Sequence, residues 1–173
     1  TLSGMSYQIE PGQLRDFMVE VGRHTPPDHS VLPQFLDRFR RAYSAPSILA
    51  TQQLVAIAAA HHRLAWIHPF GDGNGRVIRL HSHALLHRHN LHGHGLFTLS
   101  RGLARNRQGY FNHLQAADRN RENDYDGRGN LSAKHLSAFC RFFLKTLLDQ
   151  AEFMNGLLNL ADLRTRIEKY FQF

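Results

Sequence analysis

HPFGDGNGRVIR, residues 68–79, places one proline, three glycines, one carboxylate and two arginines within twelve residues. Glycines permit positive φ and leave their amides unshielded, so this backbone can fold into a concave nest of N–H donors. Asn74 favours the N-cap position, and a helix is predicted to begin at Gly75 or Arg76. Because the open amides at a helix N-terminus attract anions, the stretch predicts a phosphate-binding loop that interrupts a helical pattern.

The charged side chains of this loop point to transfer chemistry. Arg76 and Arg79 share one face of the first helical turn, where cations oppose the helix dipole at about 0.3–1 kcal/mol each. A triphosphate between them would explain that placement. Asp72 offers one carboxylate, and Mg²⁺ is commonly held by one carboxylate plus phosphate oxygens. His68 titrates near neutral pH and can accept a proton from a hydroxyl, so the loop predicts phosphoryl or nucleotidyl transfer.

Outward from the loop, the chain has the apolar periodicity of helices. Helices are predicted over residues 30–43, 48–65, 75–88, 107–121 and from 132 onward. Residues 100–106 and 122–130 are predicted as connections. FMVEVG, residues 17–22, alternates its side chains as a short strand does. The predicted fold class is all-α, with a short hairpin or strand near the start.

The composition of the chain bears on its binding partners and on its cellular compartment. The formal charge of +7 suits a polyanionic partner, but no zinc pattern or aromatic-interleaved platform accompanies it, so nucleic acid is not expected. Cys140 is the only cysteine and lies on the apolar face of a helix, which favours an inert core thiol and a cytoplasmic protein. No apolar run approaches the roughly 20 residues that span a bilayer. His83 and His87 have the spacing of a shared metal site, although a solvated face is the more ordinary reading.

The fixed positions His68-Pro69-Phe70-x-x-Gly73-Asn74-Gly75-Arg76-x-x-Arg79 resemble the complete signature of the Fic family, with Asp72 at its acidic position. The resemblance covers most of the chain, since the helices on either side fall in the expected order. It implies a Fic-like helical bundle with a β-hairpin flap. It also implies an enzyme that transfers AMP from ATP to a Ser, Thr or Tyr hydroxyl of a target protein.

The resemblance assigns roles within the motif. His68 would be the general base, Asp72 would hold Mg²⁺, Asn74 would help to form the anion hole and Arg76 would neutralise the transferring phosphates. His68, Asn74 and Arg76 are therefore the implied catalytic residues. The implied nucleotide-binding residues are Phe70, Gly71, Asp72, Gly73, Asn74, Gly75, Arg76, Arg79, Tyr110 and Phe111.

A segment upstream, residues 15–27, resembles the flap that pairs with the backbone of the target protein. Its target-binding residues would be Phe17, Met18, Val19, Glu20 and Val21. The family's inhibitory helix is expected to lie upstream of this chain or on a separate antitoxin. The predicted location is the cytoplasm, and this prediction is compatible with delivery of the chain into a host cell.

The resemblance predicts a chain of three parts. Residues 1–12 form a lead-in, 13–150 the Fic catalytic domain, and 151–173 a C-terminal helix that links to a further domain. Two other activities stay open. One is a Doc-like kinase, another phosphate-group transfer or removal of AMP, although the Doc branch has Lys where Gly75 stands. The other is a catalytically silent nucleotide-binding scaffold.

Overall fold

A computed structural model describes residues 10–43, 50–89, 98–158 and 160–171 of the chain. Within these ranges the backbone is mostly helical and contains no β-sheet, as the all-α prediction requires. The helices are α1 (Leu32–Tyr43), α2 (Ala50–Ile67), α3 (Asn74–Arg88), α4 (Leu99–Arg105), α5 (Arg107–Ala116), α6 (Ala133–Leu157) and α7 (Leu160–Tyr170). None of the described helices is long and apolar enough to cross a membrane.

The chain divides into two compact units, Thr1–His81 and Ser82–Phe173, and α3 runs through the boundary. In the first unit α1 packs against α2. A 3-10 turn at His29–Val31 leads into α1, and the Asp28 carboxylate caps that turn by accepting from the Ser30 amide at 2.9 Å. The cap is therefore Asp28, two residues before the start that was predicted for this helix at residue 30.

The core of the first unit is apolar and rich in small residues. Helix α2 buries Ala58 and Ala60 completely, which lets a neighbouring backbone approach closely. Phe35 of α1 meets Trp66 of α2 with ring centroids 5.5 Å apart. The other buried apolar residues of this unit are Leu32, Ile57, Leu64, Ile67 and Ile78.

The strand predicted over residues 17–22 does not form. Phe17 and Val19 are half-buried while Met18 and Glu20 are exposed, so the alternation of faces is real. A strand also needs a partner, and the pairing in this segment is one isolated antiparallel bridge between Val21 and His24 across a tight turn. The β-hairpin flap is thus absent as a regular hairpin from the described residues.

In the second unit α4 and α5 both pack on α6. Helix α4 occupies residues 99–105, most of a stretch that was predicted as a connection. Thr98 caps it by accepting from the Arg101 amide at 3.3 Å, and Leu99 and Leu103 bury one face. Gly102 permits close helix packing, because a Cβ there would lie 2.6 Å from Cγ2 of Thr146.

The loop before α6 is held by one buried carboxylate. Asp126 accepts hydrogen bonds from the amides of Glu122 and Lys134 at 3.1 and 2.8 Å and from the Ser132 hydroxyl at 2.7 Å. These donors lower the pKa of Asp126 to about 2. Ser132 caps α6, accepting from the His135 amide at 3.1 Å, next to the predicted start of this helix at residue 132. This ordered loop follows α5, which ends at Ala116 rather than at 121.

Helix α6 supplies the core of the second unit. Phe139, Cys140, Phe143 and Leu147 are buried at the predicted helical spacing. Burial raises the pKa of the Cys140 thiol to about 11, which keeps it protonated and unreactive, as the sequence predicted. Beyond residue 150 the chain continues through the end of α6 and α7, and the predicted domain boundaries remain predictions.

Candidate active site

The motif loop leads directly into the first turn of α3. Asn74 is 3% exposed and is bonded to Phe70 in both directions: its Oδ1 accepts from the Phe70 amide at 3.0 Å, and its Nδ2 donates to the Phe70 carbonyl at 2.7 Å. Asn74 is therefore the first residue of the helix and a staple across the loop, rather than the N-cap that was predicted.

Gly73 takes the cap position of α3. Its φ of +79° is left-handed, and its carbonyl accepts from the amides of Arg76 at 2.9 Å and Val77 at 3.0 Å. The amides of Asn74 and Gly75 have no acceptor within the helix, because residues that would accept from them precede its first turn. These amides face the start of the helix, where an anion is stabilised.

His68 joins α2 to the loop in an uncommon conformation. Its φ is +49°, and its amide donates to the Leu64 carbonyl at 3.1 Å. The ring is half-buried. Burial lowers the pKa of His68, and the charges of Arg15 and His24 act in the same direction, against a hydrogen bond with the Ala65 backbone. The imidazole is therefore neutral at neutral pH and able to accept a proton.

Asp72 and Arg76 form a solvent-exposed ion pair. The Oδ2 and Nη2 atoms lie 3.2 Å apart, and the side chains are 70% and 76% exposed. Such a pair contributes little to stability, so both groups are available to a ligand. A single accessible carboxylate beside an anion site fits Mg²⁺, which keeps several waters and takes its remaining ligands from phosphates. Among the described residues, no group of three or more His, Cys, Asp or Glu side chains could hold a metal.

Two glycines of the motif also make room for its arginines. A Cβ at Gly73 would lie 3.3 Å from Nη2 of Arg76, and a Cβ at Gly75 would lie 3.3 Å from Nη1 of Arg79. Both guanidinium groups therefore fold back over the first turn of α3. The sequence had suggested only that these glycines expose the backbone. Their second role is steric, and it gathers two cations at the anion site.

Tyr110 and Phe111 lie in α5, in the second unit, with ring centroids 5.2 Å apart. Tyr110 is 6% exposed and Phe111 is 41% exposed, with the guanidinium of Arg107 5.5 Å above the Phe111 ring. The motif belongs to the first unit. An adenine-side role for the aromatic pair stays a prediction.

One contact near the motif was not predicted. Arg15 is 4% exposed and bonded to the backbone of His68, which nothing in its polar sequence context indicated. His61 and His62 are completely buried in α2. Burial lowers the pKa of His61 to about 3, with further lowering by the charges of His62, Arg79 and His81.

Comparisons with known proteins give consistent results. The family model described as Fic/DOC family matches residues 2–86. Curated proteins named protein adenylyltransferase Fic from Drosophila erecta, Drosophila melanogaster and Culex quinquefasciatus are 41%, 40% and 39% identical over 80 residues. The aligned stretch is 46% of this chain but only 16% of each relative's length.

A solved structure extends the similarity beyond the motif. A Fic family protein from Desulfovibrio desulfuricans G20 has a TM-score of 0.68 and 21% identity to this chain. The match covers 87% of this chain and 43% of that protein. At this identity, the likeness supports a common fold and nothing finer.

Proposed function

Because the chain belongs to the Fic/DOC family through residues 2–86, we propose that it is a protein adenylyltransferase acting on a Ser, Thr or Tyr hydroxyl of a target protein. Curated relatives of that name support the transferase class. One observation carries the proposal: a neutral, half-buried His68 lies six residues before the first residue of α3, where the Asn74–Phe70 hydrogen bonds hold the loop and two arginines fold over the first turn.

The nucleotide would be held by the start of α3. The amides of Asn74 and Gly75 and the guanidinium groups of Arg76 and Arg79 would receive the phosphates of ATP. Asp72 would hold Mg²⁺ against the phosphate oxygens, where the ion supplies charge neutralisation. The Asn74 side chain makes both of its hydrogen bonds with the backbone of Phe70, so it would keep the loop rigid. The backbone amide of Asn74 would then face the anion.

The transfer step follows from the position of the base. His68 accepts the proton of the target hydroxyl as that oxygen forms a bond to the α-phosphorus of ATP. The bond from the α-phosphorus to the bridging oxygen breaks, and pyrophosphate leaves. Arg76 and the amide cradle would stabilise the charge that develops on the phosphates. The products are an AMP ester of the target and pyrophosphate.

The target would be read through the 15–27 segment. The proposed target-binding residues do not form a regular strand, and Met18 and Val21 among them are 44% and 38% exposed. The other residues of the set are Phe17, Val19 and Glu20. A target segment could pair with this backbone through main-chain hydrogen bonds, as a neighbouring strand does. Recognition through the backbone would leave the target's side-chain identity weakly specified. An inhibitory helix or antitoxin would restrain the site by occupying Arg79.

Gly75 favours AMP transfer over phosphate transfer. The Doc kinase branch has Lys at this position, and a Cβ here would lie 3.3 Å from Nη1 of Arg79. A lysine would therefore displace the Arg79 side chain and add a third cation at the helix start. The arrangement seen here suits a nucleotide held with its γ-phosphate at Arg79.

Labelled nucleotides test the proposal directly. The chain is incubated with Mg²⁺ and ATP carrying the label on the α- or the γ-phosphate, and label is sought on the chain itself and on lysate proteins. We expect label from α-labelled ATP only, and its loss in His68→Ala with an unchanged circular dichroism spectrum. Label from γ-labelled ATP alone would indicate a kinase. Binding of ATP without any label would indicate a silent binding module.

A further inference from the structure

Arg15 is a buried arginine whose three guanidinium nitrogens each donate to a main-chain carbonyl. Nε donates to the His68 carbonyl at 2.8 Å, Nη1 to the Phe17 carbonyl at 2.9 Å and Nη2 to the Pro27 carbonyl at 2.5 Å. Its own amide donates to the Pro69 carbonyl at 2.9 Å. One residue thus holds two consecutive carbonyls of the motif and both ends of the stretch between 17 and 27.

His68 depends on such restraint because of its backbone. A left-handed φ is uncommon for a residue with a Cβ and persists where the surroundings over-determine it. The amide of His68 is held by Leu64, and its carbonyl is held by Arg15. With both sides of the residue fixed, the direction of its Cα–Cβ bond is fixed as well.

We propose that Arg15 is a positioning residue, which sets the base His68 and the target-binding 15–27 segment in register with each other. This inference rests on the proposed transfer of AMP to a protein hydroxyl. A base is effective only within hydrogen-bond reach of the hydroxyl, and misplacement by about 1 Å can reduce a rate on the order of 100-fold. Because Arg15 contacts both His68 and the 15–27 segment, the target hydroxyl and the base would stay at the same separation when that segment moves.

The planar fork of arginine is essential to this role. The three carbonyls meet three different nitrogens of Arg15, whose spacing is set by the rigid guanidinium. Lysine keeps the charge but presents its donors from one point, so it cannot hold all three carbonyls in the same places. Arg15→Lys therefore removes the alignment of His68 with the 15–27 segment while leaving a positive charge at the site.

The second unit offers a matched control. Arg128 also binds main-chain carbonyls, with Nη2 donating to Ala117 at 2.7 Å and Nε to Ser132 at 3.2 Å. Arg128→Lys breaks the same kind of contact without touching His68 or the 15–27 segment. Both variants should lose stability, so only a difference between them reports on positioning.

The experiment compares these variants at a temperature where both are folded. We expect Arg15→Lys to reduce the rate of label transfer from α-labelled ATP, at saturating ATP, on the order of 10- to 100-fold. Its KM for ATP should change less than twofold, because the nucleotide cradle is held separately by Asn74 and Phe70. Hydrogen exchange of a peptide spanning 16–27 should accelerate in Arg15→Lys and remain at the wild-type level in Arg128→Lys.

A second variant separates charge from geometry. Arg15 and His24 are the charged groups that act on His68, so Arg15→Met should raise the pKa of His68 and move the acid limb of the rate profile to higher pH. Arg15→Lys should leave that limb in place while still lowering the rate. Wild-type transfer rates in a folded Arg15→Lys would overturn the proposal, as would equal rate losses in Arg15→Lys and Arg128→Lys.

Two measurements keep the inference distinct from the proposed function. If the wild-type chain transfers no label, the proposed activity fails, while NMR of the His68 ring and hydrogen exchange of 16–27 still report whether Arg15 sets the register. If neither Arg15 variant folds, NMR of the wild-type chain decides. A slowly exchanging Arg15 Nε–H coupled to the His68 carbonyl carbon supports the anchor, and a rapidly exchanging one overturns it.

Discussion

At the scale of single residues, burial and two neighbouring charges act on His68 in the same direction. Each favours the neutral imidazole, which is the form that can accept a proton. The left-handed backbone of His68 places this ring at the junction of α2 and the loop, before the cradle of α3. Its titration is consequently the first property of the site to measure.

The rate of label transfer should keep its full value at neutral pH and fall only in acid. Because the pKa of His68 lies below the ordinary value of about 6.5, we expect the midpoint of the acid limb to lie below that pH. The measurement is the transfer rate between pH 5 and 8 at saturating ATP. A midpoint above pH 7 would contradict this assignment of the base.

His61 should make the stability of the chain sensitive to acid. Its pKa is about 3 in the folded chain and about 6.5 when unfolded, so between these values the unfolded state binds the additional proton. The free energy of unfolding should therefore decrease as pH falls from about 6.5 towards 3. His61→Gln should reduce the slope of urea midpoint against pH, and an unchanged slope would contradict the burial of a neutral ring.

At the scale of elements, α4 and α6 touch through a glycine. A Cβ at Gly102 would meet Cγ2 of Thr146 at 2.6 Å and Cγ of Gln150 at 2.9 Å, so Gly102→Ala should force the two helices apart. We expect a loss of about 1–3 kcal/mol in the free energy of unfolding, measured with urea.

Gly156, near the end of α6, provides the matched control. A Cβ there would meet nothing within 4 Å, and alanine is the better helix former. Gly156→Ala should therefore stabilise the chain by about 0.5–1 kcal/mol. If Gly102→Ala also stabilised the chain, the close contact of α4 with α6 would be wrong.

Helices with an apolar face could be predicted from the sequence, and contacts between distant segments could not. The starts of α3 and α6 were predicted to within a residue or two, because Asn74 and Ser132 carry local signals. Helix α4 was missed because Gly102 breaks a helical pattern unless a neighbour packs against it. The strand at 17–22 was wrong since a period of two does not supply a partner strand.

The candidate site shows the same division between local and distant information. The spacing of the glycines, Asp72 and the arginines is sufficient to predict an anion site, which stays a prediction. The bonds of Asn74 to Phe70 and the fold of Arg79 over Gly75 are local as well, yet they depend on rotamers that a sequence does not state. Arg15 was missed because its carbonyl partner on His68 lies 53 positions away.

At the scale of the whole molecule, the excess of seven positive charges bears on the proposed binding of a nucleotide. Exposed Arg76 and the open amides at the start of α3 would attract a triphosphate, and salt would screen that attraction. The curated relatives are about six times longer than the aligned stretch, so their regulation and targets come to this chain only as proposals.

Affinity for ATP should therefore weaken as salt rises. Between about 50 and 500 mM NaCl, titration calorimetry should show a several-fold increase in Kd for Mg²⁺–ATP. Arg79→Ala should bind ATP more weakly at low salt and show a shallower dependence, while its circular dichroism spectrum stays that of the wild type. A salt-independent Kd would contradict phosphate recognition by the arginines.

Trp66 gives the flap-like segment an optical reporter. It is the only tryptophan in the chain, its carbonyl contacts His24 Nε2 at 2.7 Å, and the two rings lie 5.6 Å apart. Any displacement of the turn at Val21 and His24 changes the surroundings of this single indole. If the proposed target peptide binds there, its fluorescence would follow that binding in real time, without a label attached to either molecule.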